Sequence, residues 1–238
     1  MPEYQRRLLL ALLWPILWLQ GWYVRRVTLR MPVPPGSREG TSGRGPLVRV
    51  LVAGDSAAAG VGVGSHDQTL CGQLVQRLGL HRTVAWQVMA VNGLDSPGLF
   101  KLLEDAPAAP FDVVVLSMGV NDVTALCTPR DWLKWQNRLA GVVAQRFGPA
   151  LLVHSAVAPM HAFTALPQPL RWFMGRWALE MNRLLETLLH GQPRRTMHWH
   201  PKTTATEGLA IDGFHPGPHG YALWAQGLSE RILATNPG

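Results

Sequence analysis

The feature that most constrains the fold is an alternation, from Leu47 onward, of short apolar runs with longer amphipathic stretches. The clearest run, residues 112–118, is almost entirely β-branched or apolar, which predicts a central strand buried on both faces. Other strands are predicted at 47–53, 83–91, 150–156 and 196–200, and helices at 68–80, 98–104, 129–147, 168–191 and 218–234. Strands that alternate with helices favour right-handed crossovers and a mostly parallel sheet covered on both faces. The predicted fold class is therefore α/β.

A charge-free apolar segment, Leu8–Val24, precedes this domain, and its 17 residues lie at the short end of the roughly 17–25 that span a bilayer. Aromatic residues suited to the headgroup level are dense in it: Trp14, Trp18, Trp22 and Tyr23. No small-residue cleavage site follows, which disfavours a cleaved signal peptide. We therefore interpret residues 1–30 as a membrane anchor or uncleaved signal, which either spans the bilayer or lies in its interface.

The arginines that flank this segment bear on its orientation. Arg25, Arg26 and Arg30 follow it, whereas only Arg6 and Arg7 precede it. By the positive-inside rule this excess favours a cytoplasmic over a periplasmic position for the domain that follows.

The basic charge of the chain is concentrated before the domain. Residues 1–46 hold seven arginines and two glutamates and so carry +5 of the total of +7. Binding of nucleic acid needs a basic stripe on the folded domain, so this distribution argues against a nucleic-acid partner. Residues 31–46 contain four prolines and four glycines without apolar periodicity, which predicts an unstructured linker. The globular domain is then expected at 47–238.

Cysteine and histidine spacing gives no sign of a metal centre. The two cysteines, Cys71 and Cys127, form neither a Cys-x-x-Cys motif nor a disulfide framework, and we expect free, buried side chains. His198 and His200 could share one face of a strand, but no carboxylate lies near them at a ligand spacing, so we interpret them as packing or surface residues. We expect no metal and no cofactor.

Polar residues collect directly after the predicted strands. Gly54-Asp55-Ser56 follows the first strand, Asn92-Gly93 the second, and Gly119-Val120-Asn121-Asp122 the third. The run Asp212-Gly-Phe-His215 lies before the last helix. Because the carboxyl ends of parallel strands meet at one edge of a sheet, these groups are expected to face a common crevice.

Together these residues contain the parts that acyl transfer needs. A serine hydroxyl is a poor nucleophile until an imidazole removes its proton, and a carboxylate must hold that imidazole in one tautomer. Ser56, His215 and Asp212 fit these three roles. The oxyanion needs preorganised donors, for which the backbone N–H groups of Ser56 and Gly93 and the side-chain amide of Asn121 are candidates.

The four motifs resemble the blocks of the SGNH hydrolases, also called GDSL esterases and lipases. These blocks are Gly-Asp-Ser-x-x-x-Gly at 54–60, Gly93, Gly-x-Asn-Asp at 119–122 and Asp-x-x-His at 212–215, and the resemblance spans about residues 47–234. It implies a three-layer α/β/α sandwich with a flavodoxin-like, five-stranded parallel sheet. It also implies Ser56 as nucleophile, His215 as base, Asp212 as orienting carboxylate, and Gly93 and Asn121 in the oxyanion hole. The leucine of the family's first block is Ala57 here.

The remaining acidic residues of these blocks, Asp55 and Asp122, are interpreted as loop-bracing groups that accept backbone hydrogen bonds. The predicted activity is hydrolysis of carboxylic esters by a serine esterase or lipase, with a small-molecule or lipid ester as substrate. An acyltransferase or deacetylase acting on glycans or lipids would use the same residues, and a non-catalytic, membrane-tethered binding module is the remaining alternative. The sequence leaves acyl length and oligomeric state open.

Overall fold

The structure is a computed structural model that describes residues 3–200 and 207–235. The outer limits of the predicted domains, at residues 1 and 238, lie outside these ranges. The strands are β1 (Glu39–Gly43), β2 (Leu47–Gly54), β3 (Thr83–Ala90), β4 (Val113–Ser117), β5 (Leu151–Ser155) and β6 (Arg195–His198). The helices are α1 (Glu3–Val27), α2 (Ser56–Ala59), α3 (Leu70–Leu78), α4 (Ser96–Asp105), α5 (Val120–Thr124), α6 (Pro129–Phe147), α7 (Leu170–Leu189) and α8 (Pro218–Thr235).

Within the described ranges the strands form one sheet in the order β1-β3-β2-β4-β5-β6, and all neighbours are parallel except β1 and β3. The five parallel strands have the flavodoxin-like order, in which the direction of winding reverses between β2 and β4. Ligands of such sheets bind in the crevice at the carboxyl ends of the strands flanking this reversal. The α/β fold predicted from the sequence is therefore confirmed.

Strand β1 corrects two expectations. Residues 39–43 lie in the segment interpreted as an unstructured linker, yet they pair antiparallel with β3, from Glu39 opposite Gln87 to Gly43 opposite Thr83. The sheet of the described chain therefore has six strands and is mixed, rather than five-stranded and all parallel. Every residue of β1 is exposed. An edge strand of this kind is held by main-chain hydrogen bonds and needs no apolar pattern, so periodicity could not reveal it.

The strands bury alternate side chains on opposite faces of the sheet. Val50 and Val52 pack with α3 and α8, whereas Leu51 and Ala53 pack with α4 and α6. This alternation follows from the two-residue period of a strand, and it makes β2 and β4 apolar on both sides. The two layers of helices fix the sheet, and the carboxyl ends of β2 and β4 are thereby held at fixed positions.

A third apolar cluster lies around α7 and includes α1. Leu17 and Val24 of α1 are buried in it, and Leu9, Leu10 and Leu13 pack against it. One helix in the described residues, Leu8–Val27, is long and apolar enough to span a membrane or to act as a signal sequence, with a mean hydropathy of 1.3. The face of α1 that is turned away from the domain remains exposed.

The predicted helices and strands agree with the observed ones to within a few residues. Two short helices were not predicted, α2 at Ser56–Ala59 and α5 at Val120–Thr124, because four or five residues are too few to show a helical period. Both cysteines are free, as expected, but Cys127 is only half-buried.

Candidate active site

The turn that carries Ser56 is shaped by the residues on either side of it. Gly54 ends β2 so close to β4 that a Cβ atom there would lie 2.1 Å from the carbonyl oxygen of Ser117. Asp55 caps α2, since its Oδ1 accepts a hydrogen bond from the N–H of Ala57 at 3.0 Å. Ser56 therefore starts a short helix directly at the edge of the sheet.

His215 connects Ser56 to Asp212. Its Nε2 lies 3.0 Å from Ser56 Oγ, and its Nδ1 lies 2.6 Å from Asp212 Oδ2. The neutral tautomer that satisfies both contacts carries its proton on Nδ1 and accepts the serine proton at Nε2. Residues separated by 159 positions in the chain thus form a continuous path from hydroxyl to imidazole to carboxylate.

Asp212 forms the buried end of this hydrogen-bonded series, and its carboxyl group is stabilised in the ionised form. Its side chain is fully buried, while that of His215 is 17% exposed. Burial by itself raises the pKa of the Asp212 carboxyl, but hydrogen bonds from the His215 ring and from the N–H groups of Phe214 and His215 outweigh it and hold the pKa below its ordinary value. The carboxylate is thereby kept ionised beside the imidazole.

Two contacts fix the serine turn, one with the histidine loop and one with α8. Gly62 has φ +111°, and a Cβ atom at this position would lie 2.1 Å from the carbonyl oxygen of Pro216, next to His215. Glycine thus permits the two loops to touch. From α8, the buried Tyr221 hydroxyl lies 3.1 Å from the carbonyl oxygen of Ala57 and 2.6 Å from that of Val61. Tyr221 carries no family signature, and sequence reasoning missed it.

The loops that carry Gly93 and Asn121 leave the same edge as Ser56. Gly54 is in register with Ala90 of β3 and with Ser117 of β4, so the three following turns begin at one level. Gly93 has φ +84° in an exposed turn. The Asn121 Nδ2 donates to the carbonyl oxygen of Leu94 at 2.8 Å, which joins the two loops, and its amide has a second N–H.

Asp55 and Asp122 both accept backbone hydrogen bonds, and their interpretation as loop-bracing groups remains a prediction that these contacts support. Asp122 Oδ1 accepts from the N–H of Ser96 and Oδ2 from its hydroxyl, at 3.1 and 3.0 Å. Burial raises the pKa of Asp122, and burial raises that of Asp55 to about 7. From Ser96 the buried polar contacts continue to Gln136 and His154, which the sequence did not suggest.

The two histidines considered as a metal pair are packed in the protein. His198 is buried and its Nε2 has no hydrogen-bond partner, while His200 Nε2 lies 2.9 Å from the carbonyl oxygen of Ala156. Burial lowers the pKa of each to about 4, which keeps both rings neutral. In residues 3–200 and 207–235 no cluster of three or more His, Cys, Asp or Glu side chains is arranged to hold a metal.

Comparison with known proteins identifies the family. The sequence model of the GDSL-like lipase/acylhydrolase family matches residues 52–223, which include all four motifs. The chain belongs to this family. The resemblance noted in the sequence is thereby confirmed, and the protein is an enzyme that hydrolyses ester bonds. A search of curated protein sequences found no significant match.

Three solved structures share the fold of this protein. A lipase from a goat rumen metagenome is 18% identical, with 80% of this chain and 98% of that one covered and a TM-score of 0.59. A lipolytic protein of the G-D-S-L family from Veillonella parvula is 14% identical, with 78% and 98% covered and a TM-score of 0.63. A carbohydrate acetylesterase from Sinorhizobium meliloti is 18% identical, with 79% and 99% covered and a TM-score of 0.60. At these identities the likeness concerns the fold alone.

The hydrolase also has a cleft that sequence reasoning did not anticipate. It lies between α1 and the domain, has a volume of about 370 Å³, and reaches Asn121 and Phe214. The shape of this cleft depends on how α1 packs on α7, and the hydrophobic periodicity of the sequence does not predict how two helices pack.

Proposed function

We propose that the protein is a serine esterase that works through a covalent acyl-enzyme. Ser56 Oγ attacks the ester carbonyl carbon while its proton passes to His215 Nε2, which Asp212 holds in the required tautomer. The bond to the alcohol then breaks, and His215 returns the proton to the leaving oxygen. Water attacks the acyl-enzyme in the same way and releases the acid and Ser56. The observation that carries this proposal is the bridging position of His215, 3.0 Å from Ser56 Oγ and 2.6 Å from Asp212 Oδ2.

The oxyanion formed in each step requires donors that are already in position. We assign this role to the backbone N–H of Ser56, the backbone N–H of Gly93 and the side-chain amide of Asn121. The hydrogen bond from Asn121 to Leu94 supports the assignment, because it fixes the amide relative to the Gly93 turn.

The experiment that tests the mechanism is covalent labelling with a fluorophosphonate, in which the serine oxygen displaces fluoride from phosphorus. The full-length protein is expected to hydrolyse p-nitrophenyl acetate and to be labelled at Ser56, and Ser56→Ala is expected to lose both properties. The matched control is Ser65→Ala, since the Ser65 side chain makes no capping hydrogen bond to the short helical turn that follows it. A Ser56→Ala protein that still hydrolyses the ester and still takes up the label refutes the assignment.

Membrane association is proposed through the outward face of α1. Residues at successive helical turns on this face are 44–69% exposed: Leu8, Leu12, Ile16, Leu19, Tyr23 and Val27. Because the opposite face of α1 packs on the domain, we favour a helix that lies in the bilayer interface over one that spans it. For such a helix the arginines after the segment favour the cytoplasmic leaflet, because its anionic lipids attract basic residues at the surface.

Liposome flotation tests this association. The full-length protein is expected to float with vesicles, and a Leu12→Glu, Leu19→Glu double variant is expected to remain at the bottom of the gradient with its p-nitrophenyl acetate activity intact. Equal flotation of the two proteins contradicts the interfacial role. Protease accessibility in spheroplasts, compared with lysed cells, tests the cytoplasmic position.

A further inference from the structure

We propose that the cleft between α1 and the domain binds the acyl chain of a lipid ester, so that α1 forms one wall of the substrate site. The inference rests on the proposed function, because it requires the ester carbonyl to sit at Ser56. It goes further by naming the chemical class of the substrate and by giving α1 a role in its recognition.

The walls of the cleft suit a hydrocarbon chain. Helix α1 contributes a row of residues from Leu10 to Arg25, and the domain contributes residues from α5, from α7 and from the loop before α7. Apart from Arg25, Asn121 and Thr124, every lining residue is apolar or glycine. The volume of about 370 Å³ lies within the roughly 300–1,000 Å³ typical of small-molecule sites.

The cleft ends beside the candidate active site, which it borders through neighbours of Ser56 and His215 rather than through these two residues themselves. Asn121, assigned to the oxyanion hole, lines one part of it, and Phe214 lines another. The Phe214 ring lies edge-on to the His215 imidazole, with 5.2 Å between the ring centroids. Asn121 thus belongs both to the assigned oxyanion hole and to the wall of the cleft, so an ester held by its amide lies at the border of the apolar space.

The position of α1 is fixed by a specific polar contact as well as by apolar packing. The Gln20 Nε2 donates to the carbonyl oxygen of Gln168 at 2.6 Å, and the Gln20 Oε1 accepts from the N–H of Leu170 at 3.0 Å. Both partners lie where α7 begins. The polar residue that interrupts the apolar segment thus ties α1 to the start of α7, where Leu170 lines the cleft.

The exposed face of α1 indicates where the acyl chain comes from. A helix with one face in a bilayer and the opposite side on the cleft lets a lipid chain pass from the membrane to the site without crossing water, which avoids the cost of exposing its methylene groups. The substrate class inferred from this arrangement is a membrane lipid ester with a long acyl chain.

Gly21 provides a direct test. It lines the cleft, and a Cβ atom placed on it would meet only the end of the flexible Arg25 side chain, at 3.9 Å. Gly21→Leu therefore adds a side chain to the cleft without a backbone clash, and leucine favours the helix over glycine. The matched control is Gly141→Leu, the same change at an exposed helical position in α6 where a Cβ atom meets nothing within 4 Å.

The measured quantity is the ratio of kcat/KM for p-nitrophenyl decanoate to kcat/KM for p-nitrophenyl acetate, with full-length protein in a nonionic detergent. Since even one methylene in an apolar pocket changes kcat/KM by about 10–200-fold, Gly21→Leu is expected to lower the ratio at least about tenfold, and Gly141→Leu to leave it unchanged. The rate of fluorophosphonate labelling, measured in parallel, reports whether the catalytic residues remain intact.

Failure of the inference can be told from failure of the proposed function. If wild type hydrolyses the acetate but not the decanoate, or if Gly21→Leu leaves the ratio unchanged, the acyl cleft is refuted while the serine esterase stands. If wild type hydrolyses neither ester and takes up no label, the proposed function is refuted and the cleft assignment with it.

Discussion

Replacing Asp55 by Asn should change how the stability of the protein depends on pH. The Asp55 side chain is buried beside the serine turn, and burial raises its pKa from 3.8 to about 7. The hydrogen bond from the Ala57 N–H lowers this pKa but does not offset burial. Asparagine keeps the acceptor oxygen at the same position and cannot ionise, so the substitution isolates the effect of the charge.

The sign and size of the effect follow from linkage. Between pH 3.8 and about 7 the unfolded wild type has lost the Asp55 proton while the folded protein still holds it, so unfolding releases a proton and the free energy of unfolding falls as pH rises. At about 1.4 kcal/mol per pKa unit, the upper limit of this loss is about 4 kcal/mol. Asp55→Asn is therefore expected to be more stable relative to wild type at pH 8 than at pH 4, by up to about 4 kcal/mol.

The assay is urea unfolding of both full-length proteins at several pH values, followed by tryptophan fluorescence and extrapolated linearly to zero urea. Only the difference between the two proteins is interpreted, because groups that do not interact with Asp55 contribute equally to both. His215 and Asp122 interact electrostatically with Asp55 and are therefore part of the measured difference. A difference that stays constant from pH 4 to pH 8 refutes the reasoning, since it means that Asp55 ionises alike in the folded and unfolded chain.

Three further substitutions test the site. Asp212→Asn should lower kcat on the order of 10⁴-fold, because an amide favours the wrong imidazole tautomer, and a fall below about tenfold in steady-state kinetics would contradict its role. Asn121→Ala should lower kcat by about 10²–10³ in steady-state kinetics with little change in KM, whereas a change confined to KM would contradict the assignment of Asn121 to the oxyanion hole. Tyr221→Phe should lower the free energy of unfolding by about 1–3 kcal/mol by leaving the carbonyl oxygens of Ala57 and Val61 without their donor; urea unfolding measures this loss, and unchanged stability would show that the hydroxyl is dispensable.

The sheet and the location of the site could be predicted because they depend on local patterns. An apolar run that ends in Gly-Asp-Ser indicates both a strand and the polar turn after it, and parallel strands bring such turns together whatever their separation in the chain. His215 follows no strand directly, and its pairing with Ser56 across 159 positions came from the chemistry of the triad and from the Asp-x-x-His motif.

What could not be predicted depends on contacts that leave no period in the sequence. Tyr221 occupies an apolar helix position like any core aromatic, and only its hydroxyl, 2.6 Å from the Val61 carbonyl oxygen, distinguishes it. Gln20 weakens the apolar segment as a membrane span, but its hydrogen bonds to Gln168 and Leu170 become visible only once α1 lies on α7. The cleft likewise arises from the spacing between two helices.

Strand β1 has a practical consequence for producing the enzyme. An N-terminal apolar segment is often removed to obtain a soluble protein, and a cut at Leu47 would appear harmless from the sequence. Such a cut would also remove Glu39–Gly43 and leave the outer edge of β3 with unpaired N–H and C=O groups, which is a template for intermolecular strand pairing. Aggregation of that shortened protein would reflect the uncovered edge of β3 and the apolar cluster around α7 that α1 covers, rather than instability of the catalytic domain. A shortened form that begins before Glu39 keeps the first of these two surfaces covered.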